Sequence, residues 1–410
     1  MTAGIGAADA LGALVAARTD ELVALRRHLH AHPEPSGQEH DTTTLLVERL
    51  EVAGLSPVVL PSGTGLVCDV GPGDGPPTVA VRGDIDALSM QDDKDVPYRS
   101  RRDGVAHACG HDVHTVITLG AGLALDEALR ADAASGGPPR RVRLVFEPSE
   151  ERVPGGAVEV VASGALDGID AIFGLHCDPK LDAGLLGVRV GPLTSASDLV
   201  EIHLSGPGGH TARPHLTVDL VDVAARVVRE LPTRVVELAG DPDLLLVFGA
   251  IAAGDAPNVI PTRAELRGSL RTPDREVWQR AADLLRDALA HVVGPTGAAW
   301  DLDHRRGVPP VVNRPRETEL LAAAGAAVLG PGGVVTSPRS AGGDSFSWYL
   351  ERTGGSYGRL GTHPPGLAER LDLHAGTFDV DESVIPIGAE VLARAAVGAL
   401  DDPARGDDLT

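Results

Sequence analysis

The chain has 410 residues, 43% of them apolar, and a formal net charge of −22. That length exceeds one comfortable hydrophobic core and points to two domains. The acidic balance argues against nucleic acid or an anionic membrane as the main partner. Lys94 and Lys180 are the only lysines, which leaves few candidates for Schiff-base chemistry. Three cysteines, Cys68, Cys109 and Cys177, make no disulfide framework, so a reducing compartment is expected. No basic region followed by an apolar run opens the chain, and no window approaches 18 uncharged apolar residues, so the cytoplasm is the expected location.

In chain order, residues 8–31 carry apolar side chains at helical spacing and predict one or two helices. HPEPSGQEHDT then predicts a loop, and TTLLVERLEVAGL an amphipathic helix closed by Gly54. Three apolar runs follow: TVAVRGD, RVRLVFEPSEE and DAIFGLH. Each predicts a buried strand that ends in polar, metal-capable residues. The helical patterns VITLGAGLALDEALR and GGAVEVVASGAL separate them. Strands alternating with helices predict an α/β fold with a mostly parallel sheet covered by helices. In such sheets ligands sit beyond the carboxyl ends of the strands. Asp84, Asp86, Glu150, Glu151 and His176 are therefore expected at one rim.

Residues 195–306 read differently. The order βαββαβ predicts a small α+β domain of split βαβ type. It interrupts a first domain expected at 1–194 and 307–410, which closes with the helix ESVIPIGAEVLARAAVGAL and a frayed tail at 401–410.

HACGHDVHT, residues 107–115, concentrates three histidines, a cysteine and an aspartate. Three readings are open: a metal site, a thiol nucleophile with a histidine base, or a chance cluster. Cys109 and His111 cannot share one helix face, but in a loop both can curl around one ion, with Gly110 permitting the turn. Thiolate and imidazole suit zinc, and imidazole also suits manganese, cobalt and nickel. His114 shares a face with His111 if the helix has begun there, and Asp112 is placed to orient a ligand histidine. Of the adjacent Glu150 and Glu151, one carboxylate can bind metal while the other carries a proton. The plain alternative is a solvated pair opening a helix. Asp84 and Asp86 face opposite ways if their strand continues that far. In the inserted domain, Gly-Gly precedes His210, and Asn258 and Arg271 are candidates to hold an oxyanion or a substrate carboxylate.

The motifs LRRHLHAHPEPSGQE, VRGDIDAL, HACGHDVHT, FEPSEE, GLH, GPGGHTARPH, NVIP and LHAGTF stand in this order along nearly the whole chain. Together they resemble the M20 metallopeptidase family, in the branch of amidohydrolases acting on N-acyl amino acids, hippurate-like amides and indoleacetyl-amino acids. The resemblance implies two divalent ions, manganese or zinc with nickel or cobalt as alternatives. Its ligands would be Cys109, His111, Glu151, His176 and His374, with one bridging thiolate. Glu150 would be the general base toward an ion-activated water, and His210 and Asn258 the groups that polarise the scissile carbonyl. The inserted domain would act as a lid and a homodimer contact. Ser345, where relatives commonly have an acid, Ser89 in place of proline, Glu147 in place of a frequent glutamine, and Cys177 after His176 depart from the pattern.

The expected function is hydrolysis of a C–N amide bond in a small N-acyl amino acid or related amide. Alternatives are a dipeptidase, a carboxypeptidase or an N-carbamoyl amino acid hydrolase on the same fold, and a non-catalytic metabolite-binding homologue. An aromatic content of 3% weakens the case for an indole or benzoyl pocket.

Overall fold

Chain breaks in the hydrophobic pattern become element ends in the computed structural model, which describes residues 7–402. The expected frayed tail thus lies almost wholly outside the described residues. The N-terminal pattern resolves into two helices, α1 (Ala7–Ala16) and α2 (Thr19–Ala31). Asp20 and Glu21 in the first turn of α2, and His28 and His30 in its last, match the helix dipole. Helix α3 (His40–Val52) is followed by Gly54 at φ +78°, the left-handed stop expected of a glycine there.

The chain then continues through β1 (Val58–Val59), β2 (Leu66–Val70), β3 (Val79–Asp84), α4 (His111–Ala134), β4 (Val142–Glu147), α5 (Ala157–Ala162), β5 (Ala171–Asp182) and β6 (Leu186–Val188). It next forms β7 (Ser197–Ser205), α6 (Leu220–Ala239), β8 (Leu245–Ala253), β9 (Arg263–Arg271), α7 (Arg275–Gln279), α8 (Ala281–Val293) and β10 (Ala299–Val308). It ends with α9 (Pro315–Leu329), β11 (Val334–Thr336), α10 (Ser347–Leu350), β12 (Gly354–His363) and α11 (Val384–Asp401).

The chain divides into two compact units. The first contains residues up to Gly191, Val312–Pro338 and the chain from Ser345 onward; the second contains Pro192–Val311 and Arg339–Asp344. Sequence pattern marked 195–306 as the insertion; the short return at 339–344 carries no periodicity that would announce it.

In the first unit eight strands form one sheet in the order β1-β2-β4-β3-β5-β12-β6-β11. Its centre, β4-β3-β5-β12, is parallel throughout. Alternate residues of β3 serve two faces. Val79 and Val81 join the core that α4 and α11 build with Val116, Ile117, Val384 and Leu392. Arg82 instead bonds Tyr357 of β12 and the acid Glu147, which also takes the Tyr349 hydroxyl of α10. Strand β5 runs on to Asp182 because its pairing with β12 continues through Arg359↔His176 and Gly361↔Asp178. His176 therefore lies within the strand, not at its end as the apolar run suggested.

In the second unit the order β8-β9-β7-β10 is antiparallel, as a split βαβ pattern requires. Its core joins Val200, Ile202 and Leu204 of β7 to Val223 and Val227 of α6 and Leu285 and Leu289 of α8. Asp219 caps α6 by accepting from the backbone N–H groups of Val221 and Asp222, and Gly240 at φ +68° ends it.

Candidate metal centre and active site

Three loops at the carboxyl rim of the first unit's sheet bring the chemistry together. Strand β3 ends at Asp84, and Asp86 lies just beyond it. The expectation that these two aspartates face opposite ways does not hold: residues two apart share a face of a strand, and β3 in any case stops at Asp84. Both reach one histidine: Asp86 Oδ1 is 3.1 Å from His111 Nδ1, and Asp84 Oδ2 is 3.7 Å from His111 Nε2.

Gly110, at φ +90°, turns the chain from Cys109 into the first residue of α4, His111. A Cβ on Gly110 would stand 2.8 Å from Cys177 Sγ and 2.9 Å from Cys177 Cβ. Gly110→Ala should lose at least about 1–3 kcal/mol from backbone strain alone, with the contact adding to it. Chemical denaturation checks this, and a wild-type midpoint would contradict it.

Glu150 and Glu151 follow β4 in a turn that opens with Ser149 at φ +56°; helix α5 begins only at Ala157. They are not the start of a helix. Glu150 Oε1 accepts from the backbone N–H of Ser345 at 3.0 Å. Glu151 Oε1 lies 3.2 Å from His374 Nε2 and 3.8 Å from His111 Nε2. Its backbone N–H donates to Asp86 Oδ2 at 3.0 Å, so Asp86 ties both rim loops. His374, itself at φ +59°, is held by its backbone N–H on Ala108 carbonyl oxygen. Cys109 Sγ lies 3.5 Å from His176 Nε2.

The ligand atoms of Cys109, His111 and His176 all lie within 4.8 Å of one another, as do those of Cys109, Glu151 and His374. The two triads share the thiol. A third group joins His111 with Glu150 and Glu151.

Hydrogen bonding decides which nitrogens are free. His111 Nδ1 donates to Asp86, which leaves Nε2 as a buried atom with no hydrogen-bond partner. His176 Nδ1 donates to the Cys177 carbonyl at 2.6 Å, and this too turns Nε2 toward Cys109. Such backbone and carboxylate partners set the ring tautomer that a metal requires. His114 is different. Its Nδ1 bonds Asp84 at 2.6 Å and its Nε2 accepts from the Cys177 N–H at 2.8 Å, so neither nitrogen is available. Asp112 does not orient a rim histidine either. It is buried against Arg26 and His30 at 2.8 and 2.7 Å, and Asp86 has the orienting role.

Electrostatics at the rim fit a cation. Burial opposes charge on His111, yet Asp84, Cys109 and Asp86 raise its pKa well above the ordinary value. Burial, reinforced by Glu151, pushes the Cys109 thiol well up, so it is no activated nucleophile by itself. That argues against the thiol-nucleophile reading. The His374 pKa is raised by its bond to Glu151 against burial. An acceptor-rich set with an orphaned buried nitrogen and a shared thiol is what two divalent ions would satisfy.

Beneath the rim lies a charged core that motif reading passed over. Arg82 is fully buried and donates to Glu147 at 2.7 Å, Asp84 at 2.6 Å and the Ser345 hydroxyl at 3.1 Å. Ser345 Oγ donates in turn to Glu147 at 2.6 Å. Ser345 thus links this core through its side chain to Glu150 through its backbone. An arginine inside the apolar run of β3 was the available signal, since a buried charge demands a partner.

In the second unit a two-residue strand, Gly209–His210, pairs antiparallel with Val259–Ile260, with His210 opposite Val259. This places His210 next to Asn258, whose carbonyl accepts from Thr211 N–H at 3.4 Å. Both residues are exposed. Arg271 Nη1 donates to the Ala341 carbonyl at 2.7 Å within the same unit.

Comparison with known proteins follows the same lines. Residues 80–397 match the family model described as Peptidase family M20/M25/M40. The chain is 44% identical over 374 residues to "Putative glutamate--cysteine ligase 2-3" of Rhodococcus jostii, which covers 91% of this chain and 46% of that protein. It therefore spans about half the length of that relative. It is 33% identical over 384 residues to "N-acetyl-L-cysteine deacetylase" of Bacillus subtilis, covering 93% of this chain and 88% of that one. Among solved structures, the Bacillus subtilis YXEP protein, described as a dinuclear metal binding peptidase from M20 family, has a TM-score of 0.80 at 29% identity, covering 94% of this chain and 99% of the other. The family model spans most of the chain, from β3 into α11, and the chain belongs to peptidase family M20/M25/M40.

Proposed function

We propose that this metal-dependent amidohydrolase cleaves the amide bond of an N-acyl amino acid or a closely related linear amide, with Glu150 as general base. The observation that carries the reading is the pair of ligand triads sharing Cys109, with Glu150 grouped beside His111 and Glu151. The similarity to an N-acetyl-L-cysteine deacetylase supports the substrate class, and that to a dinuclear M20 protein supports two ions. In this reading Cys109, His111, Glu151, His176 and His374 hold the ions. Bound divalent cations supply Lewis acidity at the amide carbonyl and lower the pKa of water. The thiol favours zinc, and manganese also suits the nitrogen and oxygen ligands.

The chain's own groups supply the rest. Ser345 N–H holds a Glu150 oxygen and so positions the carboxylate to take a proton from the attacking water and return it to the leaving nitrogen. Asp86 fixes the His111 tautomer and, through the Glu151 backbone, the position of the glutamate pair. His210 and Asn258 are the proposed donors to the carbonyl oxygen as charge develops there. Homodimerisation through the inserted unit and a cytoplasmic location belong to the same proposal. No described helix is long and apolar enough to cross a membrane, and Cys68, Cys109 and Cys177 are all free thiols.

Chelation should abolish hydrolysis of N-acetyl amino acids, and zinc or manganese should restore it. Elemental analysis of the reloaded, folded protein should return two ions per chain; none retained would end the reading.

A further inference from the structure

We propose that Arg359 anchors the free carboxylate of the substrate's amino-acid half, which makes it a specificity-determining residue. This rests on the amide-hydrolase reading above. Arg359 lies on β12, in register with His176 of β5. Its guanidinium carbon is 5.9 Å from the centre of the Tyr357 ring. That ring stands edge-on to His176, 6.1 Å between centroids. Arg359, Tyr357 and His176 therefore form one patch beside the shared-thiol cluster. Opposite Arg359 on β6 is Gly187, where even a Cβ would come within 3.3 Å of the Arg359 Cβ.

The charge balance of this patch needs an anion. Arg359 is half-buried, and among the described residues no carboxylate forms an ion pair with it. Arg359 and His176 are partners across the β12–β5 pair, so their side chains leave the sheet on one face. A guanidinium next to a histidine that would hold a dication repels that dication. A permanent acidic partner would cancel the repulsion; Arg370 has such a partner in Asp182 at 2.8 Å. Arg359 has none, so its counter-charge must arrive with the ligand. A guanidinium presents paired N–H donors that match a carboxylate in a two-point contact. Arg271, the other candidate for a substrate carboxylate, already spends Nη1 on the Ala341 carbonyl.

The test compares acids with their neutral carboxamides. Zinc-loaded Glu150→Gln protein, with and without Arg359→Gln, is titrated calorimetrically with hippurate, N-acetyl-L-methionine and the corresponding carboxamides. The acids should bind the single variant at least tenfold more tightly than the carboxamides. That preference should vanish on adding Arg359→Gln and return in part with Arg359→Lys, at unchanged zinc content and circular dichroism. Inorganic phosphate, titrated in parallel, should bind more weakly than either acid; equal binding would assign the patch to simple anions and overturn the substrate role. Equal affinity for acid and carboxamide, a preference that survives Arg359→Gln, or no binding of either acid would also overturn it. Turnover by the wild-type chain together with equal binding would sink the anchor and spare the hydrolase reading. An Arg359-dependent preference in a chain that hydrolyses no amide would do the reverse.

Discussion

Glu150→Gln lowers kcat by about 10²–10⁴-fold and leaves metal content and unfolding midpoint at wild-type values. The geometry allows so clean an outcome. Glu150 accepts from Ser345 N–H through one oxygen, and glutamine retains an oxygen for that bond. The side chain therefore keeps its place while losing its ability to take a proton. Glu151 lies 3.2 Å from His374 and is untouched by the change, so the ligand triads stay intact. Steady-state kinetics on N-acetyl amino acids, paired with elemental analysis, reads both halves. Wild-type turnover in the variant would remove Glu150 from the role of base. Loss of metal along with activity would instead make it a ligand.

The second large effect lies in the charged core under the rim. Arg82→Met should destabilise the chain by about 3–5 kcal/mol, because removing one partner of a buried ion pair strands the others. Here the stranded groups are Asp84 and Glu147, both fully buried. Urea denaturation gives the measurement, and a loss under 1 kcal/mol would show that the acids find other partners or take up protons without cost. The two acids are not equivalent. Burial opposes ionisation of Asp84, yet Arg82, His111 and His114 hold its pKa well below the ordinary 3.8. Glu147 has the opposite balance: burial outweighs Arg82 and the Ser345 and Tyr349 hydroxyls, and its pKa rises above 4.5.

The signs of the pH dependence then follow. Asp84 contributes stability above pH 3.8, and this is lost as pH falls through its lower folded value. Glu147 contributes stability that is complete below pH 4.5 and is lost as pH rises through its higher folded value. The wild type should therefore lose urea midpoint as pH rises above 4.5, and Glu147→Gln should remove that decline. An unchanged slope would mean that Arg82 already keeps Glu147 fully ionised.

Much of this arrangement was readable before any coordinates. Three apolar runs that each lead into acids or histidine are enough to place Asp84, Glu150 and His176 at one rim, because parallel strands share a carboxyl end. Cys109, His111, Glu151, His176 and His374, taken together from their motifs, lie close enough to form two triads. What escaped was set by pairing across distant sequence. That β5 outlasts His176 depends on β12, more than 170 residues on. That Asp86, not Asp112, orients His111 depends on where β3 stops and on Arg26 and His30 claiming Asp112. The availability of a histidine is likewise invisible in a motif: His111 and His114 look alike in HACGHDVHT, and only their partners separate a free nitrogen from two occupied ones.

The position of β12 has a consequence for biosynthesis. This strand sits between β5 and β6 in the sheet, yet among the described strands it is the last to leave the ribosome. The four-stranded sheet of the inserted unit is complete by Val308, before Gly354 has been made. During that interval β5 offers an unpaired edge carrying Phe173 and Leu175, the kind of surface that recruits other chains into aggregates. A nascent polypeptide stalled before Gly354 would thus carry a finished insertion and an open, sticky sheet at once, and this is the stage at which a chaperone matters most to the yield of active enzyme.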